Sequence, residues 1–356
     1  MNKKFWKNKK VLITGHTGFK GSWLTLLLNS LGAKVIGYSL NPITNPNFFD
    51  GLKLKRYLLK DYRDDIEDFK KLKKIANNFK PSVVFHLAAQ SSVLVSYTNP
   101  LKTVSTNVLG TANLLEVIRN LRSVKAAIIV TTDKVYLNDE KKKKFKESSK
   151  LGGFDLYSSS KAACDIIAES YLSSFFSKKN CGIAVVRSGN CIGGGDWTKD
   201  RIVKDTAEAF AKNKKLVIRS PNATRPWQHV LDPLCGYVKL AQKLYYYKKF
   251  NGSWNFGPNK KNNLKVRELV KIGKKIFKSK SQVVLQKKRF YEAENLSLDS
   301  SKSLKLLKWQ IKFSDKDSLK LTFDWYKKFY KSKDKNGLLK MSLDQIKIFK
   351  QKHNIS

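Results

Sequence analysis

The sequence predicts an α/β fold built on a doubly wound parallel sheet, with a smaller C-terminal domain. Apolar runs of strand length, such as "KVLIT", "SVVFHL" and "AAIIV", alternate with segments of helical periodicity along the first half of the chain. A glycine-rich turn directly follows the first of these strands. The chain has 356 residues, of which 41% are hydrophobic, and this length accommodates one large domain or two ordinary ones with a sizeable core.

The segment "KKVLITGHTGFKGSWLTLLLNSLGAKVIGYS" has the pattern of one βαβ unit, with a strand at Val11–Thr14, an amphipathic helix and a second strand at Lys34–Tyr38. Gly15, Gly18 and Gly21 have GxxGxxG spacing. In such a turn the first glycine bends the chain, the second admits a pyrophosphate and the third packs helix against strand. The unit therefore predicts a Rossmann-type dinucleotide site with the phosphates at the helix N-terminus; the alternative is a tight turn without a ligand.

Three polar residues around this unit are candidate cofactor contacts. Lys20 would add a charge near the phosphates. The second strand ends without the acidic residue that usually holds the adenosine ribose of NAD, so Ser39 offers a neutral hydrogen bond and the choice between NAD and NADP stays open. Asp61 either meets the adenine amino group or caps a helix expected to begin near Ile66. His86 is expected to be a structural histidine at a strand end.

A second polar cluster follows the predicted buried strand Ala127–Val130. Thr132, Asp133 and Lys134 come at the C-terminal end of this strand, in "VTTDKVY". Ligands of doubly wound sheets bind at the carboxyl ends of strands, so these residues are predicted to lie in a site. The alternative is an exposed ion pair, which contributes about 0 to 1 kcal/mol to stability.

The segment "YSSSKAACDIIAESYL" is predicted to form an amphipathic helix. It places Tyr157 and Lys161 four residues apart, and therefore on one face. The charge of Lys161 can lower the pKa of the Tyr157 phenol, which would make Tyr157 a usable base near neutral pH.

Composition argues against several other classes of protein. The chain has 71 Lys and Arg against 28 Asp and Glu, a formal net charge of +43, which attracts nucleic acid, anionic lipid or phosphorylated small molecules. The lysines are scattered rather than clustered with aromatic residues, which favours a solvated surface. The four cysteines form no CxxC pair, so neither zinc nor a disulfide scaffold is predicted. With no signal-peptide core and no run of about 20 apolar residues, we expect a soluble cytoplasmic protein without metal, nucleic-acid partner or membrane insertion.

The order of motifs resembles a known family. GxxGxxG, "HLAAQ", "TNVLGTANLLE", the hydroxyl-bearing strand end and YxxxK resemble the extended short-chain dehydrogenases/reductases that act on nucleotide sugars. The strings "GHTGFKGSWL", "TTDKVY", "RSGNCIGGGDWTKDRIV", "RPWQHVLDPLCGY" and "WNFGP" are similar to the CDP-glucose 4,6-dehydratase branch. The resemblance extends from about Phe5 to about Tyr330.

The resemblance implies a domain organisation and a cofactor. Residues 1–187 would form an NAD-binding Rossmann domain, to which later strands return near 226–256, and residues 188–330 would mainly bind the nucleotide sugar. Residues 331–356 have no counterpart and are expected to form a basic C-terminal extension. NAD would be tightly bound and regenerated in each turnover. The implied cofactor-binding residues are Gly15, Thr17, Gly18, Phe19, Lys20, Gly21, Ser39, Asp61, Tyr62, Leu87, Ala88, Ala89, Gln90, Thr106, Tyr157 and Lys161.

The resemblance also implies catalytic roles. Tyr157 would take the proton of the sugar's C4 hydroxyl while Thr132 hydrogen-bonds the C4 oxygen. Asp133, protonated in a semi-buried site, would donate to the departing C6 oxygen. Lys134 replaces the glutamate of most dTDP-glucose relatives and would remove the C5 proton, which requires its neutral form. A nucleotide-sugar 4-epimerase is the alternative enzyme; it needs neither a C5 base nor a C6 acid. A nucleic-acid-binding protein on a retained Rossmann scaffold is the alternative outside enzymes.

The substrate side of the expected site is drawn from separate segments. Guanidinium groups match phosphate oxygens, which makes two arginines candidates for the diphosphate. The glycine loop "GGG" would lie near the nucleotide or be a simple turn, and the aromatic residues here could equally be core. A homodimer through the helix at about 105–120 and the helix of Tyr157 is also expected. The substrate-binding candidates are Gln90, Ser92, Asn190, Gly194, Arg201, Arg225, Trp227 and His229.

Overall fold

A computed structural model describes residues 2–138, 144–177, 179–224, 226–258, 264–286, 296–332 and 334–354. Its strands are β1 (Lys10–Thr14), β2 (Lys34–Ser39), β3 (Lys60–Arg63), β4 (Val83–His86), β5 (Ala126–Val130), β6 (Gly182–Ser188), β7 (Cys191–Ile192), β8 (Leu216–Ile218), β9 (Gln228–His229), β10 (Gly252–Phe256) and β11 (Val283–Leu285).

The helices of the described ranges connect these strands. They are α1 (Lys3–Trp6), α2 (Phe19–Ser30), α3 (Phe48–Gly51), α4 (Phe69–Phe79), α5 (Val93–Thr98), α6 (Pro100–Val104), α7 (Gly110–Arg119), α8 (Leu156–Tyr171), α9 (Ile202–Ala211), α10 (Leu231–Tyr246), α11 (Val266–Phe277), α12 (Ser301–Leu307), α13 (Asp315–Lys331) and α14 (Lys335–Lys352).

The main sheet confirms the predicted fold class. Within the described residues its seven strands have the order β10-β6-β5-β4-β1-β2-β3, and every pair is parallel. The order reverses at β1, which pairs with β2 on one side and with β4 on the other. Open α/β sheets bind their ligands at such a reversal, outside the carboxyl ends of the strands.

The sheet is buried on both faces, which explains its continuous apolar strands. Along β1 the side chains alternate between two cores: Val11 and Ile13 face the core that contains α2 and α10, whereas Leu12 faces the core that contains α4 and α7. Since all three are at most 1% exposed, the segment has the uniform hydrophobicity of a parallel strand rather than the alternation of a half-exposed one.

Two predicted helix starts differ from the structure. The helix after β3 begins at Phe69 rather than near Ile66, because the Asp68 side chain accepts a hydrogen bond from Lys71 N and caps it. The helix expected from about 105 to 120 is longer: α6 and α7 are joined through a π-helical turn at Ser105–Leu109.

Residues 331–356, expected to be a basic extension, contain a helix that packs against the rest of the fold. Phe349 of α14 is fully buried and stacks on His229, with ring centroids 4.7 Å apart. His353 Nε2 lies 2.9 Å from Asp232 Oδ1, and both side chains are buried. The helix therefore braces the segment that runs from β9 into α10.

Replacing Phe349 by Ala tests this bracing. Loss of a fully buried ring is expected to lower the free energy of unfolding by about 3–5 kcal/mol, measured by urea denaturation. Ile348→Ala is the matched control, since Ile348 is 38% exposed and its loss should cost less than about 1 kcal/mol. Equal effects of the two substitutions would contradict the assignment.

Candidate active site

One large cavity of about 730 Å³ opens at the carboxyl ends of the strands of the main sheet. Its walls come from the turn between β1 and α2, from the ends of β2, β4, β5 and β6, and from α8 and α9. Of the predicted site residues it brings together Gly15, Thr17, Gly18, Phe19, Lys20, Gly21, Ser39, Leu87, Ala88, Ala89, Ser92, Thr106, Thr132, Asp133, Lys134, Tyr157, Lys161, Asn190, Arg201 and Trp227.

In the glycine turn, backbone atoms of neighbouring segments occupy the space that side chains would otherwise need. Gly15 has φ +75°, and a Cβ there would lie 2.5 Å from Ala88 N. A Cβ on Gly21 would lie 2.1 Å from Gly15 O. The turn therefore packs against both α2 and the end of β4, and it leaves the N-terminal N–H groups of α2 facing the cavity.

The adenosine end differs from the sequence prediction. Asp61 and Tyr62 are not among the cavity-lining residues. His16 Nε2 lies 2.7 Å from Asp61 Oδ1, and Arg63 donates to both carboxylate oxygens of Asp61 at 2.8 and 2.9 Å. These bonds hold Asp61 behind the cavity wall and lower its pKa against the raising effect of burial. Asp61 thus does not line the cavity, and Asp68 rather than Asp61 caps the following helix; the contact of Asp61 with adenine stays a prediction.

Carboxylates slightly further along the chain line the adenosine end instead. Asp64 and Asp65 face the cavity, and Lys102 Nζ donates to Asp65 Oδ2 at 2.8 Å. On the opposite side Ser39 Oγ lies 2.9 Å from Thr17 Oγ1. The run "DYRDDI" holds several acids, and only the strand end at Arg63 determines which of them reach the cavity.

The second polar cluster follows the C-terminal end of β5 and lines the cavity. Thr132 and Asp133 are 8% and 5% exposed, and Thr132 Oγ1 donates to Asp133 Oδ1 at 3.1 Å. Tyr157 on α8 lines the same cavity, where the Thr132 hydroxyl helps to lower the pKa of its phenol, and Lys134 is an exposed residue at the cavity wall. A phenol, a hydroxyl and a carboxyl group thus lie together in one cavity wall, with the Lys134 side chain beside them.

The electrostatics of Tyr157 differ from the prediction. Burial raises the pKa of its phenol, and the charges that oppose this effect come chiefly from Arg201 and Lys20. Lys161, which was expected to supply that charge, donates from Nζ to Val130 O at 2.9 Å. Lys20 reaches this region because its Nζ donates to Ser188 Oγ at 2.9 Å, across the cavity from α2.

Histidine plays no part in this set. His86 is buried between Thr14 Oγ1 at 2.7 Å and Thr111 Oγ1 at 3.1 Å, and burial lowers its pKa to about 3. The prediction of a structural histidine thus agrees with its position. Among the residues that the structure describes, no three His, Cys, Asp or Glu side chains gather as metal ligands, and no helix is long and apolar enough to cross a bilayer.

Three predicted substrate contacts face away from the cavity. Gln90 uses its side chain internally, donating to Ser92 O at 3.0 Å and to Thr103 Oγ1 at 2.9 Å. Gly194 packs under Trp325, whose ring would lie 2.2 Å from a Cβ there. His229 is fully buried against α14. Arg225 lies outside the described residues.

Some cavity residues were missed by sequence reasoning. Arg219 follows β8 and donates to Asp200 Oδ1 at 3.0 Å, and Cys191 of β7 lies 3.8 Å from Ser188 Oγ. All of these line the cavity. Arg219 could have been predicted as a cavity residue, because it directly follows a short apolar strand. No pattern in the neighbouring sequence identifies Cys191 or Ser188.

Two alanine substitutions in the glycine turn separate packing from cofactor binding. Gly18→Ala meets nothing closer than 3.4 Å, so the urea midpoint should be unchanged while NAD affinity, measured by calorimetry, falls about tenfold, or about 1.4 kcal/mol. Gly21→Ala should lower both quantities. Full NAD affinity in Gly18→Ala would mean that the pyrophosphate does not approach this turn.

Comparison with known proteins agrees with this geometry. A family model described as GDP-mannose 4,6 dehydratase matches residues 12–322. A CDP-glucose 4,6-dehydratase of Salmonella typhimurium is 40% identical over 341 residues, which cover 94% of this chain and 95% of that protein.

Solved structures show the same fold. A UDP-glucose 4-epimerase of Thermotoga maritima has a TM-score of 0.78 at 25% identity and covers 90% of this chain and 99% of its own. A dTDP-glucose 4,6-dehydratase of Bacillus anthracis has a TM-score of 0.75 at 22% identity, with coverage of 90% and 97%. The chain therefore belongs to the nucleotide-sugar dehydratase family that the GDP-mannose 4,6 dehydratase model describes, together with the CDP-glucose 4,6-dehydratase of Salmonella.

Proposed function

We propose that this protein is an NAD-dependent hydro-lyase that converts CDP-D-glucose into CDP-4-keto-6-deoxy-D-glucose and water. The observation that carries the proposal is that Tyr157, Thr132, Asp133 and Lys134 line one cavity, with Thr132 hydrogen-bonded to Asp133. The 40% identical CDP-glucose 4,6-dehydratase supports the choice of nucleotide.

The residues of the glycine turn fit a bound dinucleotide. Gly15 and Gly21 let backbone segments pack where a Cβ would clash, and the space beside Gly18, where a Cβ would meet nothing closer than 3.4 Å, can admit a pyrophosphate at the N-terminus of α2. Ser39 and Asp65 then lie at the adenosine end, and Tyr157 and Lys161 lie at the other. When bound there, NAD would supply the redox chemistry for oxidation at sugar C4 and reduction at C6.

Tyr157 and Thr132 act on the oxygen at C4. Tyr157 removes the C4 hydroxyl proton in its phenolate form, which the charges of Arg201 and Lys20 favour against the effect of burial on its pKa. Thr132 Oγ1 lies 3.1 Å from Asp133 Oδ1, and in the complex with substrate its hydroxyl would rotate to donate to the C4 oxygen next to Tyr157. Oxidation at C4 makes the C5 hydrogen acidic, which prepares the elimination.

Asp133 and Lys134 act across the C5–C6 bond. Lys134, as the neutral amine, takes the C5 proton, while Asp133, as the protonated carboxyl group, donates its proton to the C6 oxygen, which leaves as water. After reduction at C6, a proton returns to C5 and the product keeps the C4 ketone. Asp133 is 5% exposed and Lys134 is exposed, so the acid is shielded from water and the base can exchange its proton with solvent.

A nucleotide-sugar 4-epimerase is the second candidate, favoured by the similarity to the Thermotoga maritima epimerase. That reaction removes and returns a hydride at C4 and leaves C5 and C6 unchanged. The acid and the base at 133 and 134 would then have no role. A 4,6-dehydratase acting on a different nucleotide sugar remains within the same chemistry.

We also propose a homodimer. Exposed apolar side chains lie on neighbouring helices: Val95 on α5 is 39% exposed, Leu101 on α6 is 84% exposed and Ile166 on α8 is 56% exposed. A patch of this kind is typical of a protein–protein interface. Light scattering should give twice the mass of the chain, and Leu101→Lys should shift the equilibrium towards monomer. A mass of one chain at all working concentrations would contradict the dimer.

Conversion of CDP-glucose in deuterated water tests the proposed reaction. We expect a product that has lost one water, carries deuterium at C5 and has a C4 ketone, without net consumption of NAD. Mass spectrometry and NMR measure all three. An unchanged mass with a galacto-configured product would establish the epimerase instead, and turnover of only a dTDP, GDP or UDP sugar would overturn the choice of nucleotide.

Lys134→Met in the same assay tests the C5 base. Oxidation at C4 should persist, seen as transient absorbance of the reduced cofactor, whereas deuterium incorporation at C5 should fall about 100-fold or more. Lys150→Met, on the loop before α8, is the control for loss of one lysine charge. Undiminished exchange in Lys134→Met would assign the C5 proton to another group.

A further inference from the structure

Helix α8 extends the catalytic pattern beyond Tyr157 and Lys161. Asp165 and Glu169 continue the four-residue spacing, so these four residues lie along one face of the helix. The first two line the cavity. The last two lie further along, against β6 and β10, where Asp165 is fully buried and Glu169 is exposed.

Arg187 of β6 lies at the centre of this second half. It is 1% exposed, and its Nε donates to Asp165 Oδ2 at 3.0 Å. One terminal nitrogen donates to Tyr136 Oη at 2.8 Å, and the other donates to Ser253 Oγ at 2.9 Å. A buried guanidinium with these partners is fixed in one orientation.

This ion pair contacts both ends of the catalytic segment. Before the segment, Thr131 Oγ1 donates to Asp165 Oδ2 at 3.3 Å. After it, Tyr136 accepts the bond from Arg187 and donates to Asn255 Oδ1 at 2.8 Å. Only four residues, 132 to 135, separate the two anchored positions, and they include the proposed acid and base.

We propose that Asp165 and Arg187 are positioning residues, whose buried ion pair holds both ends of the segment Thr131–Tyr136 and thereby fixes Thr132, Asp133 and Lys134 against Tyr157. The inference rests on the proposed function for its consequence in catalysis. Removal of the ion pair should loosen the loop without removing any group that touches the substrate, and a displacement of about 1 Å can cost 100-fold in rate.

The protonation state of Asp165 gives the ion pair a pH dependence. Burial raises the pKa of Asp165 to about 6, Arg187 and Lys161 oppose this shift, and Glu169 adds to it; the remaining polar group against the carboxylate is the Thr131 hydroxyl. A raised pKa means that the folded state binds this proton more tightly than the unfolded state does. The stability that Asp165 contributes is therefore lost as pH rises through about 6 and gained as pH falls.

As pH falls, the activity of the enzyme should decrease while the contribution of Asp165 to stability increases. Below about pH 6 a neutral Asp165 no longer attracts Arg187 as a charged partner, so the loop loosens although protonation of this group favours the fold. We expect kcat to fall on the acid side of this pH without a parallel loss of unfolding free energy from Asp165. Simple acid denaturation would lower both together.

Asp165→Asn is the decisive variant. It is expected to fold, to bind NAD with unchanged affinity and to keep KM for CDP-glucose, while kcat at pH 7.5 falls about 10- to 100-fold. Its residual rate should lack the acid limb near pH 6. Glu169→Gln is the comparison variant: Glu169 is exposed, accepts from Ser253 Oγ at 2.7 Å and lies 3.9 Å from Arg187, but contacts neither Thr131 nor Tyr136. Its kcat should fall much less than that of Asp165→Asn, and its acid limb should persist.

Amide hydrogen exchange tests the ion pair without any substrate. The Val135 N–H, which donates to Thr132 O at 3.4 Å, should exchange about tenfold faster in Asp165→Asn than in Glu169→Gln. If neither wild-type nor variant converts CDP-glucose but exchange accelerates, the proposed function fails and the positioning role stands. Unchanged exchange, an unchanged kcat profile, or a loss confined to KM or NAD affinity would overturn the positioning role.

Discussion

The approach of the Gly15 backbone to Ala88 is the contact on which the rest of the site depends. A Cβ at position 15 would lie 2.5 Å from Ala88 N, so the end of β1 can touch the end of β4 only because no side chain intervenes. This closeness brings the N-terminus of α2 to the point where the strand order reverses. The same closeness directs Lys20 across the cavity to Ser188.

The site combines buried acid–base groups with charges from distant parts of the chain. Tyr157 lies in a dry environment that disfavours its phenolate, and the compensating cations come from α2 and from the N-terminus of α9. Asp165 is likewise buried and depends on one guanidinium from β6. Such arrangements have little stabilising value of their own, because desolvation offsets the attraction. Their benefit lies in orientation, since each cation holds a reacting segment in one place.

Features set by neighbours in sequence were predictable. The parallel sheet follows from apolar runs, and the cofactor turn follows from three glycines after a strand. The polar cluster at the end of β5 was predictable because it directly follows an apolar strand. In each case a residue's position along its own strand or helix decides whether it reaches the cavity.

Features set by remote partners were not predictable. A hydrogen bond to Thr103 holds the Gln90 side chain within the fold. A hydrogen bond to His16, 45 residues away in sequence, does the same for Asp61. The sequence suggests that His229 is accessible because it lies next to Trp227. In the structure, Phe349 of α14 covers it. The sequence assigned to Lys161 the positive charge that lowers the pKa of Tyr157, because helical spacing is visible in a sequence. The approach of Lys20 depends on tertiary structure and is not visible there. Polar residues near a motif can bind ligand or satisfy the fold, and only three-dimensional packing decides.

Helix α14 also carries a consequence for the order in which the protein is assembled. The bond from His353 to Asp232 joins residues 121 apart, and Lys350 reaches back 320 residues to Ser30. During synthesis on the ribosome, the sheet and its glycine turn can form long before these partners emerge. His229 and Asp232 therefore stay uncovered until α14 has left the ribosome, and during that interval they are open to chaperone binding or misassembly.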